Sequence, residues 1–411
     1  MPTRSPIGLD IGTSRIKAVQ LRRCAGHPTP GIVASSPWRI AATACFDRLP
    51  PTQPSAPSTG HSSRSTHSGP GVPDEREMRR IVDVLHRRGF TGHRVVAAVP
   101  DASVLTATAE LPPRSSGAPL EHLARVELAR AHGRLPDELE AGCWDLPAAR
   151  GVGGGGGATM VMTVGCAHDD ADAVLSALDA VGLEAEMLEP RLVSSVRAAS
   201  CIRKRTGRGD GGISVMIDLG HASATIIVLV SGVIIYAREV QECGAWTAVA
   251  SLADRLNLSE EDAGLLFRGG GWTAKPGAGA DPHTPRHDHG EAITRELDGA
   301  FDELGSRIAA EVFTAVEYAK YRYSDREVTD LCLFGGAAAI DRVGRAVETA
   351  GNGVFSSGLS SDETQREATV AVHVLHPTDG LEVEPAIATD ASHPSLITAM
   401  GLAMGHMEGA C

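Results

Sequence analysis

Apolar residues in this chain gather in short runs that switch between two periods. From residue 7 to 46 they read as strands, and the first stretch is IGLDIGTSRIKAVQL, two aliphatic runs broken by an aspartate, a glycine and two hydroxyls. Between Asp74 and Arg88 the period lengthens: Met78, Ile81, Val82 and Leu85 share one helical face, and Gly89 stops the helix. Residues 93–100 and 102–112 return to strand patterns. An amphipathic helix over 120–135 follows, then a strand over 159–166, a helix over 169–181 and the segment 182–190. The block 93–190 has its own strand–helix rhythm and predicts a small inserted α/β subdomain. A second series opens at Ile213 with a strand pair. It continues with helices over 245–256 and 259–268, a long helix from Glu291 to Tyr323, a strand over 328–338, a helix over 340–350 and a helical pattern over 395–407.

Polar stretches interrupt this picture. Residues 50–73 are almost wholly Pro, Ser, Thr, Gly and His, too poor in apolar area to offset the entropy of ordering, and predict a disordered insert. Residues 269–290 predict a second, flexible insert, whose His283, His287 and His289 lack the fixed spacing of a zinc site. The glycine run at 151–158 has no following G-K-[ST], so it predicts a loose hairpin tip rather than a P-loop. Residues 203–212, basic and glycine-rich, read as a linker.

With 411 residues, 42% of them hydrophobic, the chain exceeds the size of a single growing core and implies at least two domains. Aromatics are only 4%, so those cores must be built from Ala, Val, Leu and Ile. A net charge of −13 argues against nucleic acid as the main partner, because neutralising phosphates takes clustered Lys and Arg. The longest apolar stretch, 224–237, is interrupted by Ser231 and Gly232 and is too short to span a bilayer. The N-terminus lacks the apolar core of a signal peptide. A soluble cytoplasmic protein with no direct membrane insertion is expected. The eight cysteines are scattered without a C-x-x-C pair, which predicts buried reduced thiols rather than disulfides or a metal site.

The opening stretch has a counterpart about half the chain away, VMIDLGHASATIIVLV at 215–230. Each copy has an aliphatic run, Asp, an aliphatic, Gly, two small or polar residues and a resuming strand, which marks an internal duplication. In such a pair Gly12 and Gly220 allow a tight turn that brings main-chain N–H groups toward an anion. Thr13, Ser14 and Ser223 add hydroxyl donors, and Lys17 can reach toward phosphate. Asp10 and Asp218, at strand ends, are placed to hold a water-coordinated Mg²⁺. A third element, DLCLFGGAAAIDRVGRAV at 330–347, is a buried strand, the pair Gly335 and Gly336, and a helix start, and reads as a contact for an adenosine.

In this order the three segments resemble the phosphate 1, phosphate 2 and adenosine motifs of the actin-like ATPase superfamily. Within it the chain is most similar to the PilM family of type IV pilus assembly proteins, through GLDIGTSRIKAVQL, VVAAVPDASVLTATAELP, ALDAVGLEAEMLEPRLVSSVRA, SRIAAEVFTAVEYAKYRY, LFGG and ITAMGLAMG. The resemblance implies an α/β fold of two duplicated actin-like (ribonuclease H-like) domains around a nucleotide cleft, with a small inserted α/β subdomain. The first domain would begin with residues 1–92, the insert would span 93–190 and a return helix and linker 191–212. The second domain would span 213–394, and a C-terminal helix at 395–411 would pack back on the first. The resemblance also implies ATP and Mg²⁺ as ligands, Gly244 as a further adenosine-side residue, and hydrolysis that is weak at most. The partner it implies is the cytoplasmic N-terminal peptide of a PilN-type inner-membrane protein, docked near the insert. Other proteins of a pilus, type II secretion or competence platform, and further copies of the chain, are implied as well.

The sequence departs from the family where the adenosine side is built. A usual Gly-Gly pair is Cys243 and Gly244, Gly264 and Phe267 stand where the family carries a Glu and a Lys, and Arg268 lies one residue beyond. Arg15 replaces a small residue in the first turn. These changes keep a nucleotide-free pseudo-ATPase open as an alternative. An FtsA-like division protein and a small-molecule kinase, with Asp101 as general base, are the others.

Overall fold

The computed structural model describes residues 4–24, 37–49, 71–149, 158–209, 211–269, 288–358 and 371–405. The expected inserts therefore lie mostly outside the described residues: 50–70 of the first, 151–157 of the glycine run and 270–287 of the second. The chain divides into two units, residues 1–209 with 376–411, and residues 210–375.

The first unit is built on a six-stranded sheet. Its strands are β1 (Ile7–Ile11), β2 (Arg15–Arg23), β3 (Trp38–Asp47), β4 (Arg94–Val99), β8 (Glu184–Pro190) and β14 (Glu382–Val383), in the order β14-β3-β2-β1-β4-β8. β1, β2 and β3 form an antiparallel meander, and β4 and β8 add in parallel beyond β1. Between β3 and β4 lies α1 (Glu75–Arg87), started by Asp74, whose carboxylate accepts the Glu77 N–H at 2.8 Å. Its predicted stripe, Met78, Ile81 and Leu85, closes over Ile7, Leu9 and Ile16 in the core.

A separate three-stranded antiparallel sheet interrupts this unit after β4. It consists of β5 (Leu105–Leu111), β6 (Leu139–Asp145) and β7 (Thr159–Ala167), in the order β5-β7-β6, with α2 (Leu120–His132) packed on it. The segment 93–190, expected as one subdomain, is thus divided. β4 and β8 lie in the main sheet, and α3 (His168–Asp179) places Val174 and Leu178 in that sheet's core. The reason is burial: residues 95–99 of β4 are all buried, as in a parallel strand covered on both faces, whereas β5 and β6 each have exposed positions.

The second unit repeats the scheme. Its strands are β9 (Ile213–Leu219), β10 (Ala224–Val230), β11 (Val233–Val240), β12 (Val328–Phe334) and β13 (Val372–Val374), ordered β11-β10-β9-β12-β13. β9, β10 and β11 again form an antiparallel meander, with β12 and β13 added in parallel beyond β9. The crossover to β12 contains α5 (Ala245–Leu256), α6 (Glu260–Arg268) and α7 (Asp288–Arg322), and α8 (Asp341–Gly358) leads to β13. This duplicated strand order is the duplicated α/β architecture that the sequence repeat implies.

The remaining elements belong to the first unit. α4 (Arg191–Arg205) follows β8, and α9 (Pro377–Gly380), α10 (Ala388–Ala391) and α11 (Ile397–Ala403) end the described chain. Residues 376–394, expected in the second domain, fall here because β14 pairs with β3 and α9 packs on α4. α11 lies close against α4 and β1: a Cβ on Gly401 would sit 1.8 Å from the Ser194 carbonyl oxygen, and one on Gly8 2.1 Å from that of Ala399. Cys24, Cys45, Cys143, Cys166, Cys243 and Cys332 are free thiols, as expected, but Cys201 is disulfide-bonded, which the scattered spacing did not reveal. Among the described residues no helix is long and apolar enough to cross a membrane.

Candidate functional site

Each unit carries one Asp-x-Gly hairpin on its central strand. In the first, β1 turns into β2 with the Gly12 N–H donating to the Arg15 carbonyl at 2.9 Å, leaving Thr13 and Ser14 at the tip. In the second, β9 turns into β10 with the Gly220 N–H donating to the Ser223 carbonyl at 3.0 Å, leaving His221 and Ala222 at the tip. The two turns are closed by the same bond, but Ser223 occupies the place of Arg15, and its hydroxyl donates to Glu239 Oε1 at 2.6 Å.

The second unit gathers most of the residues singled out there. Register pairs Asp218 with Phe334, so Gly335 lies beside the Asp218 carboxylate. Gly335 has φ +97°, and a Cβ there would fall 2.4 Å from Asp218 Oδ1 and 2.6 Å from the Leu219 carbonyl oxygen. Only glycine fits. Gly336 is exposed with open space around it, and a 3-10 turn at Ala337–Ala339 intervenes before α8. Gly244 presses on the hairpin tip, where a Cβ would lie 2.4 Å from the Ala222 carbonyl. The first N–H groups of α5 are bonded there too, Ala245 to the Gly220 carbonyl at 3.2 Å and Trp246 to that of His221 at 2.9 Å. The helix start therefore braces the hairpin, which satisfies donors that a helix leaves orphaned.

α6 shows what became of the two departures. Phe267 is 2% exposed and packs on Phe301 with ring centroids 4.9 Å apart, so this position faces the core. A Cβ on Gly264 would have only ordinary contacts, including the Arg268 guanidinium at 3.8 Å. Lost hydration and the charge of Arg268 hold the His221 imidazole below its usual pKa, which puts the Arg268 cation within electrostatic reach of the second hairpin's tip.

In the first unit Asp10 is wholly buried and flanked by two cations. Lys17 Nζ donates to Asp10 Oδ2 at 2.9 Å, and Arg191 Nε lies 3.3 Å from Oδ1. Arg191 also donates to Asp101 Oδ2 at 2.7 Å. Burial pushes the Asp10 carboxyl up, but Arg191 and Lys17 more than reverse this and hold it below its ordinary value. Gly12 makes room for this arrangement, because a Cβ there would meet Lys17 Nζ at 2.6 Å. Arg48 supports the hairpin from outside: its N–H donates to the Ser14 carbonyl at 2.9 Å, and its guanidinium pairs with Glu77 at 2.7 Å.

The repeated motif predicts Asp10 against a metal and Lys17 against phosphate, whereas in the structure the two pair with each other. A magnesium ion takes carboxylate oxygens together with waters and phosphates. A buried carboxylate whose two oxygens already face cations does not fit that role. Among the described residues no three His, Cys, Asp or Glu side chains converge on a metal site. Arg191 escaped the sequence reading altogether. Its signal was its place at the first position of α4 after Pro190, where a cation opposes the helix dipole and needs carboxylates nearby. Asp101, read as a possible general base, is one of those carboxylates.

The paired meander sheets and their hairpins define an actin-like ATPase fold. Residues 75–275, just under half of the chain, match the family model described as Type IV pilus assembly protein PilM. The solved "PilM-PilN type IV pilus biogenesis complex" matches with a TM-score of 0.67 at 16% identity, over 98% of this chain and 99% of that one. EutJ from Carboxydothermus hydrogenoformans, an ethanolamine utilization protein, matches with a TM-score of 0.47 at 14% identity, over 98% and 90% of the two chains. MreB 5 of Spiroplasma citri bound to AMPPNP matches with a TM-score of 0.44 at 11% identity, over 98% and 96%. No curated protein matches the chain in sequence. The chain is PilM-like in sequence over residues 75–275 and in fold over nearly its whole length.

Proposed function

We propose that this chain is an actin-fold, nucleotide-binding scaffold on the cytoplasmic face of a type IV pilus assembly platform, or of a related type II secretion or competence machine. The observation that carries this reading is the Asp-x-Gly hairpin repeated on the central strand of two like sheets, in a chain with a PilM match. Gly220, Gly244 and Gly335 keep the second hairpin tightly packed, and Arg268 supplies a cation near its tip. ATP is the expected nucleotide. Any magnesium it carries would be held from Asp218.

The cytoplasmic N-terminal peptide of a PilN-type membrane protein is the proposed partner, docked on the first unit at its three-stranded insert. Membrane association would then be indirect. Asp101 faces Arg191 at 2.7 Å, which opposes its use as the base of a small-molecule kinase. Phe267 lies in the core, so α6 offers no cation toward a nucleotide at that position, and weak or absent hydrolysis with a dominant scaffold role rests on the PilM resemblance.

Calorimetric titration of the full chain with ADP and ATP tests the nucleotide part. Saturable binding of either supports it. No binding of either leaves the pseudo-ATPase reading in its place.

A further inference from the structure

We propose that Lys17 and Arg191 occupy, at Asp10, the place of the divalent cation that the fold family would put there, so that the first hairpin excludes metal. Three features lead to this. The first is charge balance: the carboxylates of Asp10 and Asp101 face the cations Lys17 and Arg191, with contacts of 2.9, 3.3 and 2.7 Å, so no excess negative charge remains to draw in a divalent ion. The second is access. Asp10 is 0% exposed, Lys17 is 8% exposed, and a magnesium ion that keeps several waters has no path to either carboxylate oxygen without displacing a cation.

The third is that the sequence builds the arrangement into this hairpin and not the other. Asp10 and Lys17 are partners across the ladder between β1 and β2, whereas Asp218 is partnered by Thr225. Gly12 leaves the space that Lys17 Nζ fills, so its lack of a side chain serves the cation as well as the turn. Arg191 is fixed from behind by Asp101, and it sits at a helix start where only such carboxylates make a cation favourable. Asp10 thus acts as an internal counter-ion that holds two cations beside the turn. Metal exclusion at Asp10 holds whether or not a nucleotide binds.

The test is a Mn²⁺ titration of the ¹⁵N-labelled full chain, without and with ADP, read from the amide signals of Ile11 and Gly12. Paramagnetic broadening reports an ion at Asp10 directly. Both signals are expected to keep their intensity within about twofold while amides near exposed acidic side chains broaden. Preferential loss of the Gly12 signal in either state overturns the proposal. The double substitution Lys17→Met with Arg191→Met is expected to gain that broadening, and a folded double variant that does not gain it also contradicts the proposal. If the double variant fails to fold, the wild-type titration decides alone.

Discussion

Lys17 and Asp10 face each other across the ladder between β1 and β2, with Nζ 2.9 Å from Oδ2 and both side chains almost wholly buried. An ion pair in such a place adds little net stability compared with apolar residues, but removing one partner strands the other. Lys17→Met leaves Asp10 with Arg191 alone and is expected to cost about 3 kcal/mol, the low end for a broken buried pair because one cation remains, measured by urea unfolding.

The same pair sets a pH dependence. Despite its burial, the folded Asp10 carboxyl is held below its ordinary value of 3.8 by the Arg191 and Lys17 cations, so its stabilising contribution is fully present above about pH 4 and is lost as pH falls through the folded value. Lys17→Met removes one of the two lowering charges while burial stays. The folded pKa then rises, and acid unfolding followed by circular dichroism should begin at a higher pH than in the wild type.

Glycine substitutions should separate sharply. Gly335→Ala forces a Cβ to 2.4 Å from Asp218 Oδ1 at a positive φ and is expected to cost about 3 kcal/mol or more. Gly336→Ala meets open space and should change stability by less than about 0.5 kcal/mol. Gly12→Ala, whose nearest obstacle is the flexible end of Lys17, should fall between them, at about 1 kcal/mol. Thermal unfolding of the three variants checks the order.

The duplicated hairpins were legible because Asp, Gly and the flanking aliphatics recur with one spacing, and α1 was legible from its apolar period and the Gly89 stop. β6 was missed because Glu140, Gly142 and Asp145 dilute its pattern. β13 and β14 span three and two residues and exist only through their pairing with β12 and β3. The separation of β4 from β5 depends on which sheet each joins, a tertiary choice that local alternation does not encode. Arg191 reaches Asp10 across 181 positions of sequence, and no spacing rule connects them.

Placing on α6 the lysine that the resemblance implies there should fail. Phe267→Lys places a charge in the packing against Phe301 and is expected to cost about 3 kcal/mol or more in urea unfolding, without any gain in nucleotide affinity. Arg268→Ala, at an exposed position, should leave stability unchanged and weaken nucleotide binding about tenfold, the loss of one charge-assisted contact. Calorimetry with ADP distinguishes the two.

The scaffold role is tested most directly by titrating the full chain with a synthetic peptide of the cytoplasmic N-terminus of a PilN-type protein. Saturable one-to-one binding with a Kd in the micromolar range, about −8 kcal/mol, is predicted. No binding in either the absence or the presence of ATP would contradict the account.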